Sequence, residues 1–129
     1  MTTEVAGFGA LAGQQYINLT TFRKSGEAVK TPVWFAEHNG KLYMLTIGTA
    51  GKVKRIRANH QVRVGPCDAR GQSLGPELAG RAQILSTERQ QAAIDLLNKK
   101  YGLIKHLFDL AGRLTGSMKN RLYIEIEPE

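Results

Sequence analysis

Apolar and polar positions along the first part of the chain predict a β-meander. The segment Tyr16–Phe22 (YINLTTF) is rich in β-branched and aromatic residues, and the polar, glycine-containing RKSG that follows is typical of a hairpin loop. A second strand is predicted over residues 29–37 (VKTPVWFAE), where Pro32 indicates a sheet edge or a bulge because proline cannot donate a ladder hydrogen bond. An Asn-Gly turn then leads into a third strand, Lys41–Ile47.

After residue 47 the spacing of apolar residues changes. A glycine-punctuated loop precedes residues 52–59 (KVKRIRAN), where Val53 and Ile56 are three apart, as on a short helix. Two further short strands are predicted over residues 61–66 and 78–85, with Gly80 marking a bulge or a close approach of backbone.

Two consecutive helices and a last strand complete the pattern. A capping box at Thr87 begins a helix that Gly102 can end, and residues 103–114 repeat its apolar spacing, so each helix is expected to bury one face. The alternation in residues 122–127 (LYIEIE) predicts a half-buried antiparallel strand.

These elements predict an α+β protein built on a small, mostly antiparallel barrel of about six strands. A short helix follows the third strand, and two helices precede the last. The length of 129 residues favours a single domain over residues 1–129. Hydrophobic residues make up 42% and charged residues 22%, which excludes collagen-like and disordered classes. No apolar run approaches the ~20 residues of a membrane span, and the N-terminal residues lack the layout of a secretory signal, so we expect a cytoplasmic protein.

Positive charge is concentrated in one part of the chain. The formal net charge is +7, and residues 38–67 contain no carboxylate. Most of the basic residues there directly follow a glycine-rich turn, so backbone N–H groups, a helix N-terminus and cationic side chains could converge on one phosphate. A solvated basic helix face is the alternative, and composition does not decide between them. The six basic residues of this window are Lys41, Lys52, Lys54, Arg55, Arg57 and Arg63.

Other reactive residue types give no pattern of their own. The single cysteine, Cys67, excludes an internal disulfide, and three widely separated histidines have no metal-ligand spacing, so no metal site is predicted. No serine lies in a Gly-x-Ser-x-Gly setting. The sequence thus indicates no catalytic nucleophile or acid–base residue, and the only tryptophan, Trp34, is first of all a candidate core residue.

Several segments together resemble the pyridoxamine-5′-phosphate-oxidase-like split β-barrel family, and more closely its deazaflavin (coenzyme F420) dependent branch. The likeness runs from about Tyr16 to Gly102 and is carried by TTFRKSGEAVKTPVWF, GKVKRIRAN, LAGRAQIL and KYGL. His60 stands where many relatives have proline, which puts the exit of the short helix in doubt. Members of this family are typically homodimers with two cofactor sites at the subunit interface.

The resemblance assigns binding residues and a cofactor. It places one group against the flavin or deazaflavin ring: Thr31, Pro32, Val33, Trp34, Thr46 and Ile47. Lys52 would hold the phosphate, which coincides with the anion site argued from charge, and Lys54, Arg55 and Arg57 would assist it. The implied cofactor is F420, with FMN as the alternative.

The resemblance implies an oxidoreductase that uses reduced F420 to transfer a hydride to an unsaturated or conjugated small molecule. Hydride transfer from a cofactor needs no protein nucleophile, in agreement with the missing catalytic motif. An FMN-dependent oxidase or reductase is the second hypothesis. A non-enzymatic module that binds cofactor or nucleic acid is the third, with the basic helix as its footprint. No nucleic-acid recognition motif is visible, so we expect a small-molecule substrate and no nucleic-acid partner.

Overall fold

The computed structural model describes residues 8–48, 50–115 and 121–129, and its main element is one curled antiparallel sheet. The sheet has seven strands in the spatial order β2-β1-β5-β6-β7-β4-β3. It curls into a half-barrel, so the predicted split-barrel α+β fold is confirmed. The strands are β1 (Tyr16–Phe22), β2 (Ala28–Val33), β3 (Ala36–His38), β4 (Lys41–Ile47), β5 (Gln61–Cys67), β6 (Leu78–Ile84) and β7 (Arg121–Pro128).

The predicted second strand is in fact two strands on opposite edges of the sheet. β2 pairs only with β1 and places Pro32 opposite Asn18 at one edge, as proline requires. β3 pairs with β4 at the other edge. Trp34 and Phe35 lie outside both strands, and Phe35 is buried. The sheet therefore has seven strands where about six were predicted, and because of this split the short helix follows the fourth strand instead of the third.

The main core fills the inside of the curled sheet. Buried side chains alternate along β4 and along the first half of β5, as expected for strands with one face toward a core. Gly80 on β6 is a point of close approach, because a Cβ atom there would lie 2.8 Å from Cγ2 of Ile126 and 3.1 Å from the ring of Phe8. Phe8 precedes a 3-10 helix, Gly9–Leu11, and its ring is buried in this core.

Two α-helices pack on the sheet. Helix α1 (Gly51–Ala58) buries Val53 and Ile56. Helix α2 (Gln90–Thr115) is broken at Gly102, whose φ of 51° and ψ of −123° are not helical, so it forms two segments, 90–101 and 103–115. The predicted helix end at Gly102 is confirmed in this sense. None of the helices in the described ranges is both long and apolar enough to cross a membrane.

The two segments of α2 differ in which face they bury. The first segment packs Ala93, Leu97 and Tyr101 into a second core cluster, as the apolar spacing predicts. The second segment turns its apolar residues outward, with exposures between 52% and 81%. The expectation of a buried apolar face is therefore wrong for residues 103–114. The exposed residues are Leu103, Ile104, Leu107, Leu110 and Leu114.

Candidate functional site

A cavity of about 300 Å³ opens where the ends of β2 and β4 meet the start of α1 and the side of α2. This volume lies at the lower end of the range for small-molecule and cofactor sites. Its wall is mostly apolar, with one lysine from each helix. The lining residues are Pro32, Val33, Trp34, Leu45, Thr46, Ile47, Ala50, Lys52, Leu97 and Lys105.

Tyr101 holds the aromatic residue of the cavity wall, Trp34, in place. The ring of Trp34 stacks on Tyr101 of α2, with 4.6 Å between ring centroids and an interplanar angle of 11°. The Tyr101 hydroxyl accepts a hydrogen bond from the Phe35 N–H at 2.9 Å and lies 2.9 Å from the carbonyl oxygens of Gln15 and Phe35. Burial raises the pKa of Tyr101 to about 12, so this hydroxyl stays protonated at neutral pH. Tyr101 thereby fixes the chain where β2 ends.

The opposite end of the cavity is cationic. Lys52 is in the first turn of α1, which begins at Gly51. The N-cap residue of this helix, Ala50, forms no side-chain hydrogen bond to that turn. The Arg55 guanidinium folds back over the same turn, because a Cβ on Gly51 would lie 2.8 Å from Nη1 of Arg55. Nε of Arg55 donates to the hydroxyl of Thr21 at 2.7 Å, which holds it there. Burial lowers the pKa of Lys52, and the charge of Arg55 lowers it further.

This end combines two cations with the positive end of a helix, and it has no acidic residue in the first turn of α1. Uncapped backbone N–H groups at a helix N-terminus favour an anion. An anion bound here would also relieve the repulsion between Lys52 and Arg55. A phosphate group fits this arrangement.

The structure brings most of the sequence-predicted site residues to one place. Six of them line the cavity, namely Pro32, Val33, Trp34, Thr46, Ile47 and Lys52. Arg55 lies beside that wall, behind Gly51. Thr31 is half-buried within β2 opposite Leu19, and Lys54 and Arg57 are exposed on α1; none of these three lines the cavity. His60 follows α1 in an exposed position, and its Nδ1 lies 3.0 Å from the Ala82 carbonyl oxygen.

Sequence reasoning missed the wall that α2 contributes. Leu97 belonged to a predicted buried face, but nothing in the sequence indicated that this face reaches the strand ends. Lys105 had no signal at all, because a lysine among apolar residues in a helix is ordinarily solvated. Within the described ranges no group of three His, Cys, Asp or Glu side chains could hold a metal ion, and Cys67 is buried.

The sequence matches the family model described as pyridoxamine 5′-phosphate oxidase over residues 1–129. The chain belongs to this family. No curated protein matches it.

Solved structures similar to this member of the pyridoxamine 5′-phosphate oxidase family share its fold at low sequence identity. An F420 reductase superposes with a TM-score of 0.61 and 20% identity over 95% of this chain and 94% of its own. An FAD-binding protein from Mesorhizobium loti gives 0.68 and 16%, covering 94% and 84%. A heme storage protein from Vibrio cholerae gives 0.67 and 12%, covering 91% and 83%. Three such different descriptions on one fold mean that function has to be argued from the cavity.

Proposed function

We propose that this protein is an oxidoreductase that binds reduced coenzyme F420 and transfers a hydride to an unsaturated or conjugated small molecule. The observation that carries the proposal is the cavity itself. A mostly apolar wall from β2 and β4 suits a planar ring, and it ends at a cationic helix N-terminus that suits a phosphate. The F420 reductase of the same fold supports the choice of cofactor.

In the proposed reaction the bound reduced cofactor supplies the hydride. The protein has to bind, orient and exclude water. Pro32, Val33 and Trp34 would face the ring on one side, with Thr46 and Ile47 beside it, and Lys52 would hold the phosphate with Arg55 behind it. A rigid wall serves this chemistry because hydride transfer depends on close positioning of the two reacting carbons. The stacking of Trp34 on Tyr101 provides such rigidity.

The charge of the chain favours F420 over FMN. F420 has a phosphodiester and a polyglutamate tail, whereas FMN has one phosphate. Lys54 and Arg57 are exposed on α1, the helix whose first turn contributes Lys52 to the cavity, where they could hold tail carboxylates. An FMN-dependent oxidase or reductase is the alternative, supported by the family and by the FAD-binding protein of the same fold.

We also propose that the protein is a homodimer. The end of β2 and the residues after it offer little apolar surface to a partner, because Val33 and Phe35 are buried and Trp34 is half-buried. The exposed apolar surface is instead on segment 103–115 of α2, whose Lys105 lines the cavity. Five adjacent large aliphatic side chains are unusual on a monomer surface. A second copy seated on this face would contact the same helix segment that contributes Lys105 to the cavity wall.

Equilibrium titration tests the choice of cofactor. The proposal expects F420 to quench the fluorescence of Trp34 and to bind more tightly than FMN. Its advantage should shrink as salt rises from 20 mM to 500 mM, because the tail would be held by exposed cations that are screened over ~10 Å at 0.1 M. Tighter binding of FMN at every salt concentration would replace the F420 assignment with the FMN alternative. Binding of a DNA duplex in place of either cofactor, with a steep salt slope, would favour the third hypothesis.

Replacing Lys52 tests the phosphate site. Lys52→Ala should weaken binding of either cofactor by about 1.5 to 3 kcal/mol, the range for a lost hydrogen bond to a charged group. Lys41→Ala is the matched control, since Lys41 is on β4 but forms only a long, exposed ion pair with Glu127 at 3.8 Å. Equal losses from both substitutions would mean diffuse electrostatic attraction without a defined phosphate site.

A further inference from the structure

Lys105 is buried to a degree that is rare for lysine. It is 2% exposed, yet it contributes to the wall of the cavity. Fully buried lysines are almost always paired. Nζ of Lys105 donates to Oδ1 of Asn98 at 2.9 Å and lies 3.0 Å and 2.9 Å from the two carboxylate oxygens of Asp109. The side chain is therefore fixed by the helix on which it stands.

The counter-charge of Lys105 is shared with a second cation. Asp109 also forms an ion pair with Arg121, the first residue of β7, whose side chain is 3% exposed. Burial alone would raise the pKa of Asp109, but hydrogen bonds from Arg121 and Lys105 more than offset this, so its pKa lies below the usual value and the group is ionised at neutral pH. One carboxylate faces two cations. The cluster of Lys105, Asp109 and Arg121 thus combines two almost fully buried cations with one ionised carboxylate.

The Lys105 ammonium can offer a donor to the cavity. It has three N–H groups. One can be shared between the two oxygens of Asp109 and a second goes to Asn98, which leaves the third. No carboxylate is among the described residues that line the cavity, and the other charged group there is Lys52. An ammonium in a largely apolar wall is further stabilised when an oxygen with negative charge accepts a hydrogen bond from it.

We propose that Lys105 is a ligand-binding residue, which donates a hydrogen bond to a negatively charged oxygen of a molecule bound in the cavity. Asp109 is a positioning residue that holds the ammonium in place, and Arg121 in turn holds Asp109. The oxygen belongs either to the ring of the cofactor or to an anionic substrate bound next to it. The proposal rests on the cavity of the proposed function, and it adds a second anion-binding point at the wall formed by α2.

Two arms of a binding experiment distinguish an oxygen of the cofactor from an oxygen of the substrate. The fluorescence of Trp34 reports binding in each. Trp34 is the only tryptophan and lines the cavity, so a bound flavin or nitroaromatic compound quenches its fluorescence directly. In the first arm F420 and FMN are titrated into the full-length protein. In the second arm 4-nitrobenzoate, an aromatic anion, is titrated into cofactor-free and cofactor-loaded protein.

The variants separate a local role of Lys105 from net charge. Lys105→Gln removes the charge, and Asp109 keeps Arg121 as a partner, so no buried carboxylate is left unpaired. Lys99→Gln is the matched control, because Lys99 is an exposed lysine on the first segment of the same helix and does not line this cavity. Lys105→Arg restores a cation. Circular dichroism establishes that each variant is folded.

Lys105→Gln is expected to weaken binding tenfold or more in at least one arm. Lys99→Gln should stay within twofold of wild type in both arms, and Lys105→Arg should recover part of the loss. A loss confined to the first arm assigns the oxygen to the cofactor, and a loss in the second arm assigns it to the substrate. Equal affinities for Lys105→Gln and Lys99→Gln in both arms would overturn the proposal.

Failure of the proposed function is recognised separately. If wild-type protein binds neither F420 nor FMN, that function is wrong, and 4-nitrobenzoate binding to the cofactor-free protein still tests Lys105. If Lys105→Gln does not fold, side-chain NMR of lysine ammonium groups in the wild-type protein replaces it. The Lys105 resonance should then shift on addition of 4-nitrobenzoate, and an unchanged resonance at saturation would refute the assignment.

Discussion

Replacing Tyr101 by phenylalanine removes one oxygen atom from the point where α2 holds the end of β2. The buried Phe35 N–H then loses its acceptor, and the carbonyl oxygens of Gln15 and Phe35 lose a neighbouring hydroxyl. An unsatisfied buried backbone donor costs about 1 to 3 kcal/mol, and the loss of the donated O–H bond adds roughly 1 kcal/mol. We expect Tyr101→Phe to lower the free energy of unfolding by about 2 to 4 kcal/mol.

Urea unfolding followed by circular dichroism measures this change. With a slope of about 2 kcal/mol per M urea, the midpoint should fall by roughly 1 to 2 M. Tyr16→Phe is the control, because Tyr16 is a half-buried tyrosine at the start of β1, and its hydroxyl makes no hydrogen bond to the described residues. A midpoint for Tyr101→Phe within about 0.2 M of this control, at most a fifth of the expected shift, would refute the view that the hydroxyl anchors the strand end.

Three further predictions concern the interface, the pH dependence and the core. Leu107→Glu should convert a dimer into a monomer in sedimentation velocity without loss of fold, since that side chain is 58% exposed; an unchanged sedimentation coefficient would place the interface elsewhere. Burial lowers the pKa of Lys100 from 10.5 to about 8. Between pH 8 and pH 10.5 the unfolded chain therefore binds more protons than the folded protein, so the free energy of unfolding should rise with pH in this range. Urea titrations at pH 7.5 and 9.5 should show this rise for the wild-type protein and not for Lys100→Met. Gly80→Ala should destabilise by roughly 1 to 3 kcal/mol in thermal unfolding, because its Cβ would lie 2.8 Å from Ile126.

Local sequence patterns predicted the sheet well because strand, turn and burial signals agree there. β1 and β4 have the predicted bounds, and β7 exceeds its predicted range by one residue at each end. Pro32 is at a sheet edge, as its missing N–H group requires. The break at Trp34 and Phe35 could not be predicted from propensity. All residues from Val29 to Glu37 are compatible with a strand, and only the tertiary position of β3 beside β4 and the hydroxyl of Tyr101 interrupt it.

The candidate site likewise contains residues that local sequence patterns predict and residues that only the tertiary structure brings there. Lys52 could be predicted because charge and glycine spacing are local properties of α1. The contribution of Leu97 and Lys105 depends on how α2 crosses the ends of β2 and β4, for which the sequence provides no local signal. Thr31 was assigned by resemblance within a run of neighbours. It lies before the end of β2, and of this strand only the last two residues, Pro32 and Val33, reach the cavity wall.

Segment 103–115 differs from the expected amphipathic helix in two ways: its large apolar residues are exposed and its Lys105 is buried. The proposed dimer and the proposed ligand contact of Lys105 together explain both. Amphipathic spacing normally turns apolar residues inward and charges outward, but here Leu107 and Leu110 face out while Lys105 faces in. As an isolated, unliganded monomer the segment would hold apolar surface in water and the Lys105 ammonium in a largely apolar cavity wall, and both are unfavourable. A second copy over the aliphatic face would remove the first cost, and an anionic oxygen at Lys105 would remove the second. Because one helical segment has both features, cofactor or substrate binding and dimer formation should strengthen each other, and the dimer dissociation constant should fall when ligand is present.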